Sequence, residues 1–265
     1  MISASALSPE TVAALVDPIT HAPLVPLTLP SGVLVLRSPT GDIWPLSGGI
    51  LEALPASQVA GDNLLFQGFY DHVARWFGWL ESFGERIAGV GADRLECLAE
   101  LVIASGARVL EVSVGSGANL AGLPSQATYV GIDISRRMLE RARRSARRSA
   151  RQVDLVHAAA EALPFRDHAF DVVFHVGGIN FFSDRRAALA EMVRVARPGT
   201  RVVVIDETES GVDQYRRMPW VRRYFRERPP VAPPIAELPG GVTDVTVKTL
   251  CSETMYCLAF TTPVA

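Results

Sequence analysis

The sequence predicts an α/β fold: five parallel strands with helices on both faces, a C-terminal antiparallel hairpin, and a small hairpin arm at the start. Three observations carry that prediction. From residue 107 onward, short apolar runs alternate with stretches of helical periodicity, the pattern of a parallel sheet covered on both sides. The rhythm breaks at Val242–Leu250 and Thr254–Phe260, two β-rich runs with no room for a helix between them, so they should pair antiparallel. The first apolar run ends in Gly115-Ser116-Gly117, where glycines let the backbone turn sharply and come close to a ligand.

Taken in order, residues 1–55 read as the arm. The turn-rich segment Asp17 to Leu24 comes first, then a short strand at Gly32–Leu36. A turn at Gly41-Asp42 leads to a second strand through Leu46, and Gly48-Gly49 closes the unit. Residues 56–104 are expected to form a helical lid. Phe66 to Phe77 is dense in aromatics, and Tyr70 and His72 are candidates to face a ligand there, although an amphipathic helix burying its rings has the same pattern. Leu95–Ala104 has helical spacing and ends at Ser105-Gly106, a C-cap.

The strands of the main unit, residues 105–265, are expected at Val109–Val112, Tyr129–Ile132, Val153–Val156, Asp171–Val176 and Arg201–Ile205. The glycine turn should open a helix whose first N–H groups face the ligand. Ser135 should cap a helix running to about Ser149, and Asp184 one running to Ala196. In the first of these, Met138, Ala142, Ala146 and Ala150 recur every fourth residue, which leaves the arginines between Arg136 and Arg151 as a solvated face.

Composition narrows the function classes. The chain has 265 residues with 48% hydrophobic and 20% charged side chains, a globular composition. A net charge of −2 provides no global attraction for nucleic acid, and no aromatics interleave the arginine helix for base stacking. Cys97, Cys251 and Cys257 are too few and too scattered for a disulfide framework or a structural zinc site, so no metal is expected. No stretch is apolar enough for a membrane span and no signal peptide is visible, which points to the cytoplasm. Oligomeric state is not legible.

Ligands of open α/β sheets bind at the C-terminal ends of the strands. Three such places carry chemistry here. One is Glu111 to Gly117. Another is Gly131-Ile132-Asp133-Ile134-Ser135, where a carboxylate can accept hydrogen bonds from two ribose hydroxyls. The third is Ala159-Ala160-Glu161, after the third strand. Dinucleotide binding needs a third glycine, and Leu120 stands in its place; Glu111 would also sit badly beside a pyrophosphate.

The motifs Glu111-x-Ser113-x-Gly115-x-Gly117, Gly131-x-Asp133-x-Ser135, Ala160-Glu161-x-Leu163-Pro164-Phe165 and Phe170-Asp171-Val172-Val173 occur in order. Together they resemble class I S-adenosylmethionine-dependent methyltransferases, nearest the ubiquinone/menaquinone C-methyltransferase branch known as type 11. The resemblance implies a Rossmann-like sheet and S-adenosylmethionine as cofactor. It implies that Glu111 orients the methionine end with Ser113, Gly115, Ser116 and Gly117 beside it. It also implies Asp133 on the ribose, Ile134 on the adenine face, Ala159, Ala160 and Glu161 near the adenine edge, and Val176 near the methionine part. Two positions depart from the family: Ser113 replaces the first glycine, and Ala159 an acidic or amide residue. The arm is similar to a zinc-ribbon unit found before some of these domains. Asp17 stands where its first cysteine would be, and with only His21 nearby it reads as metal-free.

Methyl transfer from a sulfonium is an in-line displacement, so orientation can supply much of the rate and a base is needed only for an acceptor that must lose a proton. His175, beside Gly177-Gly178, His72 in the lid, and Asp206 and Glu207 after the fifth strand are the candidate bases, with His175 and Glu207 foremost. A small-molecule carbon or oxygen acceptor is the first reading. An rRNA or tRNA base methyltransferase, or a member of the fold that binds the cofactor without transferring methyl, are the alternatives.

Overall fold

The computed structural model describes residues 7–58, 90–216 and 230–264. Four short strands come first: β1 (Val25–Thr28), β2 (Leu34–Arg37), β3 (Ile43–Ser47) and β4 (Ile50–Glu52). Five longer ones follow, β5 (Arg108–Val112), β6 (Thr128–Asp133), β7 (Val153–His157), β8 (Val172–Val176) and β9 (Arg201–Glu207). The last two are β10 (Thr243–Leu250) and β11 (Met255–Thr261). All lie in one sheet, ordered β1-β2-β3-β4-β7-β6-β5-β8-β9-β11-β10.

The strands β5 to β9 pair parallel, as their unbroken apolar runs require. Val109, Leu110 and Val112 of β5 and Val202 to Ile205 of β9 are buried, because helices cover both faces. The C-terminal hairpin inserts its second strand next to β9. Tyr256 to Phe260 of β11 are buried accordingly, whereas β10 is exposed from Thr243 to Thr249. Polar residues such as Asp244 and Lys248 suit β10 to the outer edge.

The helices are α1 (Pro9–Ala14), α2 (Val90–Leu98), α3 (Arg136–Arg148), α4 (Arg185–Val195) and α5 (Glu209–Arg216). The Ser135 hydroxyl caps α3 by accepting from the Met138 N–H, and Asp184 caps α4 by accepting from Ala187. The inward stripe of α3 is Met138, Leu139, Ala142 and Ala146. Ala150, expected to continue it, lies beyond the helix end at φ 51° and is exposed.

Three expectations need correction. The glycine turn does not open an α-helix: a 3-10 turn, Leu120–Gly122, follows it. Gly122 and Pro124 leave no length for a helix before β6 begins, so no helix N-terminus faces the turn. The helix expected through Ala104 ends at Leu98. Beyond it Leu101 and Ile103 leave helical geometry and pack against a buried cluster that includes Val109, Phe174 and Ile205.

The arm, expected as a hairpin through residue 55, has four strands and continues the main sheet. Gly48 and Gly49, both at positive φ, reverse the chain so that β4 pairs parallel with β7. Asp17, at the position of the missing cysteine, organises the first turn by hydrogen bonds. Its Oδ1 accepts the Ile19 and Thr20 N–H groups at 2.9 Å each, and its Oδ2 the Trp44 indole N–H at 3.0 Å. His21 is exposed at φ 57°.

A charged latch fastens the arm. Glu52 at the end of β4 accepts from His157 Nδ1 at 2.6 Å and from Arg136 Nε at 2.5 Å, while His157 Nε2 donates to the Ile134 carbonyl. Burial alone would raise the Glu52 pKa, but the His157 and Arg136 hydrogen bonds hold it below the ordinary value. The latch therefore contributes stability above the unfolded carboxylate pKa and loses it as pH falls through the lowered folded value. Glu52→Ala is expected to cost roughly 2 kcal/mol at pH 7, with solvent screening of the half-exposed ion pair already discounted. Urea unfolding at pH 7 and at pH 3 tests this: the difference between variant and wild type should shrink at the lower pH.

Candidate active site

The cleft lies over the C-terminal ends of β5, β6 and β8; the sequence alone points to β5, β6 and the loop after β7. Glu111 is 2% exposed and lines the cleft. The backbone then turns through Ser113, Gly115 and Gly117 at φ 62°, 53° and 77°. Left-handed geometry is ordinary for the two glycines and costs Ser113 about 1–2 kcal/mol, the price of departing from the family pattern. A Cβ on Gly115 would meet nothing within 4 Å, so that peptide lies open to the cleft. Gly117 faces the other way: its Cβ would come within 2.9 Å of the Ala142 Cα, which seats the turn on α3.

Asp133 clasps the turn. Its Oδ2 accepts the Gly115 N–H at 2.9 Å and its Oδ1 the Ser135 N–H at 2.8 Å. The same carboxylate therefore shapes the glycine turn and borders the cleft beside Ile134 and Met138.

Glu111 is the most perturbed group of the turn. Its Oε1 accepts from the Asn119 amide at 2.6 Å, and Arg94 of α2 donates to the Asn119 Oδ1 at 2.8 Å. The Glu111 Oε2 is buried without a partner. Burial outweighs the Asn119 hydrogen bond and the Arg94 charge, and Asp133 adds to it, so the Glu111 pKa is pushed up to about 8. A buried acceptor left open costs about 1–3 kcal/mol, more if charged, and a cationic ligand would relieve it. The Arg94 Nε is also buried and unpaired. A carboxylate oxygen and a guanidinium Nε without partners thus flank one glycine turn. The ammonium and carboxylate of an amino acid would satisfy both. Arg94 and Asn119 escaped the sequence reading because neither stands in a recognisable motif; Asn119 is legible only as a polar residue in the loop after Glu111.

Of the other expected residues, Ser116 and Val176 line the cleft. Ala159 and Ala160 are buried and do not line it, and Glu161 accepts from the Asp184 N–H at 3.4 Å. Tyr70 and His72, with the aromatic lid, lie outside the described residues.

His175 is fully buried and absent from the cleft wall. Its Nδ1–H donates to the Val112 carbonyl at 3.0 Å, its ring meets Phe182 edge-on at 5.3 Å, and its Nε2 has no partner. Burial lowers its pKa despite the nearby Asp206 charge, so the ring is neutral. Glu207 is placed differently. With Gly211, Thr254 and Met255 it lines a second cavity, which shares Arg94, Val176 and Gly177 with the cleft. Burial first and the Asp206 charge second raise the Glu207 pKa well above that of an ordinary carboxylate, and its Oε2 has no hydrogen-bond partner. Asp206 itself holds the 178–180 loop, accepting from the Gly178 and Asn180 N–H groups at 2.9 and 2.8 Å.

Known proteins resemble this chain in sequence and fold. Residues 110–204 match the profile of the family described as "Methyltransferase domain". This segment is similar to a methyltransferase domain. O-methyltransferase cnsE of Penicillium expansum is 37% identical over 52% of this chain and 51% of its own length. Demethylmenaquinone methyltransferase of Clavibacter sepedonicus is 34% identical over 49% and 55% respectively. The chain thus spans about half the length of these curated relatives. Among solved structures, a phosphoethanolamine N-methyltransferase of Haemonchus contortus, in complex with S-adenosylhomocysteine, superposes with a TM-score of 0.54 at 16% identity. That superposition covers 66% of this chain and 53% of the other. The strand order β7-β6-β5-β8-β9-β11-β10 is the Rossmann-like class I methyltransferase sheet, with the four arm strands added beyond β7. Among the described residues, no helix is long and apolar enough to cross a membrane.

Proposed function

We propose that the protein transfers a methyl group from S-adenosylmethionine to a carbon or oxygen atom of a small-molecule acceptor. The observation that carries the cofactor reading is the partnerless Glu111 Oε2, buried beside a glycine turn that leaves its cleft face open. Glu111 would take the methionine ammonium, Arg94 its carboxylate, Asp133 the ribose hydroxyls, and Ile134 and Met138 the adenine faces. When bound, the sulfonium would supply the methyl group, its C–S electron pair returning to sulfur so that a neutral thioether leaves.

The cavity beneath Glu207 suits the acceptor, because it adjoins the cleft at Val176 and Gly177. There Glu207 removes the acceptor's proton. Its raised pKa makes it a stronger base than an ordinary carboxylate, active once ionised, so turnover should climb with pH. His175, sealed in the sheet, is left to hold β8 against β5. The relatives named for O-methylation and for demethylmenaquinone support a hydroxyl or quinone-type acceptor. All three cysteines are free thiols, which fits the cytoplasm.

Calorimetry with S-adenosylmethionine tests the cofactor, and release of S-adenosylhomocysteine across a panel of phenols and quinols tests transfer. On the acceptor that turns over, Glu207→Gln should lower kcat by about 10²–10⁴ and remove the rise with pH. Unchanged turnover would transfer the base role elsewhere, and absence of cofactor binding would overturn the whole reading.

A further inference from the structure

We infer that Cys97, Cys251, Asp93 and Glu96 form a binding site for a zinc-class divalent cation. In the sequence the cysteines looked scattered, with Cys251 and Cys257 the nearest pair. The fold instead brings Cys97 of α2 to Cys251, in the turn between β10 and β11, with their sulfurs 3.7 Å apart. Two thiolates on one tetrahedral zinc, at Zn–S distances near 2.3 Å, are separated by about 3.8 Å. A disulfide would need about 2.05 Å.

Two carboxylates gather at Cys251, whose sulfur Cys97 meets from the other side of the pair. Asp93, Glu96 and Cys97 are spaced i, i+3, i+4 and so share one face of α2. The ligand atoms of Asp93, Glu96 and Cys251 all lie within 4.8 Å of one another. Glu96 already accepts the Cys251 N–H at 3.2 Å, and the Cys251 thiol contacts the Asp93 carbonyl at 3.4 Å. Nearby cations are engaged elsewhere: Arg94 turns to Asn119, and Lys248 pairs with Glu100 at 2.7 Å. Among the described residues neither Asp93 nor Glu96 has an ion-pair partner. Two like charges gathered over two buried thiols are unfavourable alone and become favourable around a cation. The thiols are buried and the carboxylates exposed, so the ion would enter from the carboxylate side.

On binding, each thiol gives its proton to solvent and becomes a thiolate ligand. The bound cation staples α2 to the C-terminal hairpin. Because α2 carries Arg94, the staple would also fix one wall of the cofactor cleft, and Asp93, Cys97 and Cys251 line the same cavity as Glu207.

The test is metal binding, which stands whether or not the protein methylates anything. Untagged, reduced protein is titrated with zinc and, separately, with cobalt(II). One equivalent should bind, and cobalt should give thiolate charge-transfer absorption with the intense visible bands of tetrahedral geometry. Cys97→Ala and Cys251→Ala should each weaken zinc binding at least tenfold, and Glu96→Gln should weaken it several-fold. The wild-type cobalt spectrum decides even if a variant fails to fold. Octahedral cobalt without a thiolate band, or no retained zinc at micromolar concentration, overturns the site. A mass lower by two hydrogens under mild oxidation, with no metal bound by the reduced protein, overturns it in favour of a disulfide pair.

Discussion

Replacing Asp133 with alanine is expected to weaken S-adenosylmethionine binding at least tenfold in calorimetry, about 1.4 kcal/mol or more. The effect has two sources that act in one direction. The carboxylate would lose its hydrogen bonds to the ribose, and the glycine turn would lose its clasp, since both Asp133 oxygens accept backbone N–H groups. Hydrogen bonds to a charged group are worth about 1.5–3 kcal/mol each. Unfolding measured on the same variant separates the two: the clasp contributes to the midpoint of the free protein, the ribose contact only to the shift on adding cofactor. Unchanged affinity would remove Asp133 from the cofactor site.

Glu111→Gln should have the opposite effects on stability and on binding. The folded pKa of Glu111, about 8, lies above the unfolded value of 4.5, so the folded protein holds the extra proton between them. Stability of the free protein therefore falls as pH rises through that window, by roughly 5 kcal/mol at most from a shift of this size. Glutamine removes the decline, because it never has to ionise. The variant should thus match wild type near pH 5 and exceed it in melting temperature at pH 8.5. Its affinity for S-adenosylmethionine should drop at least tenfold, since the partner for the ammonium is gone. Parallel melting curves across the pH range would mean that Glu111 is not carrying a buried, unmatched charge.

Glu111 and Asp133 were legible because strand-end carboxylates around a glycine turn form a local pattern, readable within one βαβ-length stretch. The five parallel strands and the closing hairpin followed from apolar runs, which need no knowledge of partners. Features that depend on distant partners were not legible. Strand β4 is only Ile50-Leu51-Glu52, too short for any periodicity, and its partner β7 lies about a hundred residues later. His175 looked accessible because glycines follow it. Strand side chains alternate, however, and Val176 rather than His175 faces the cleft. The helix expected after Gly117 was misread because Ala118 to Ala121 suit a helix, while the short distance to β6 forbids one. Cys97 and Cys251 met only through the fold.

The parallel pairing of β4 with β7 also bears on how the chain assembles. The hairpins of β1 to β3 close over a few residues and can form as soon as they are made. β4, by contrast, has no partner on its far side until residue 157 has been synthesised, and parallel pairing across so long a loop is slow. During that interval Ile50 and Leu51, fully buried in the finished sheet, sit on an open strand edge. The arm is early in synthesis and late in docking, so a nascent chain stalled between residues 55 and 150 would expose its most adhesive edge.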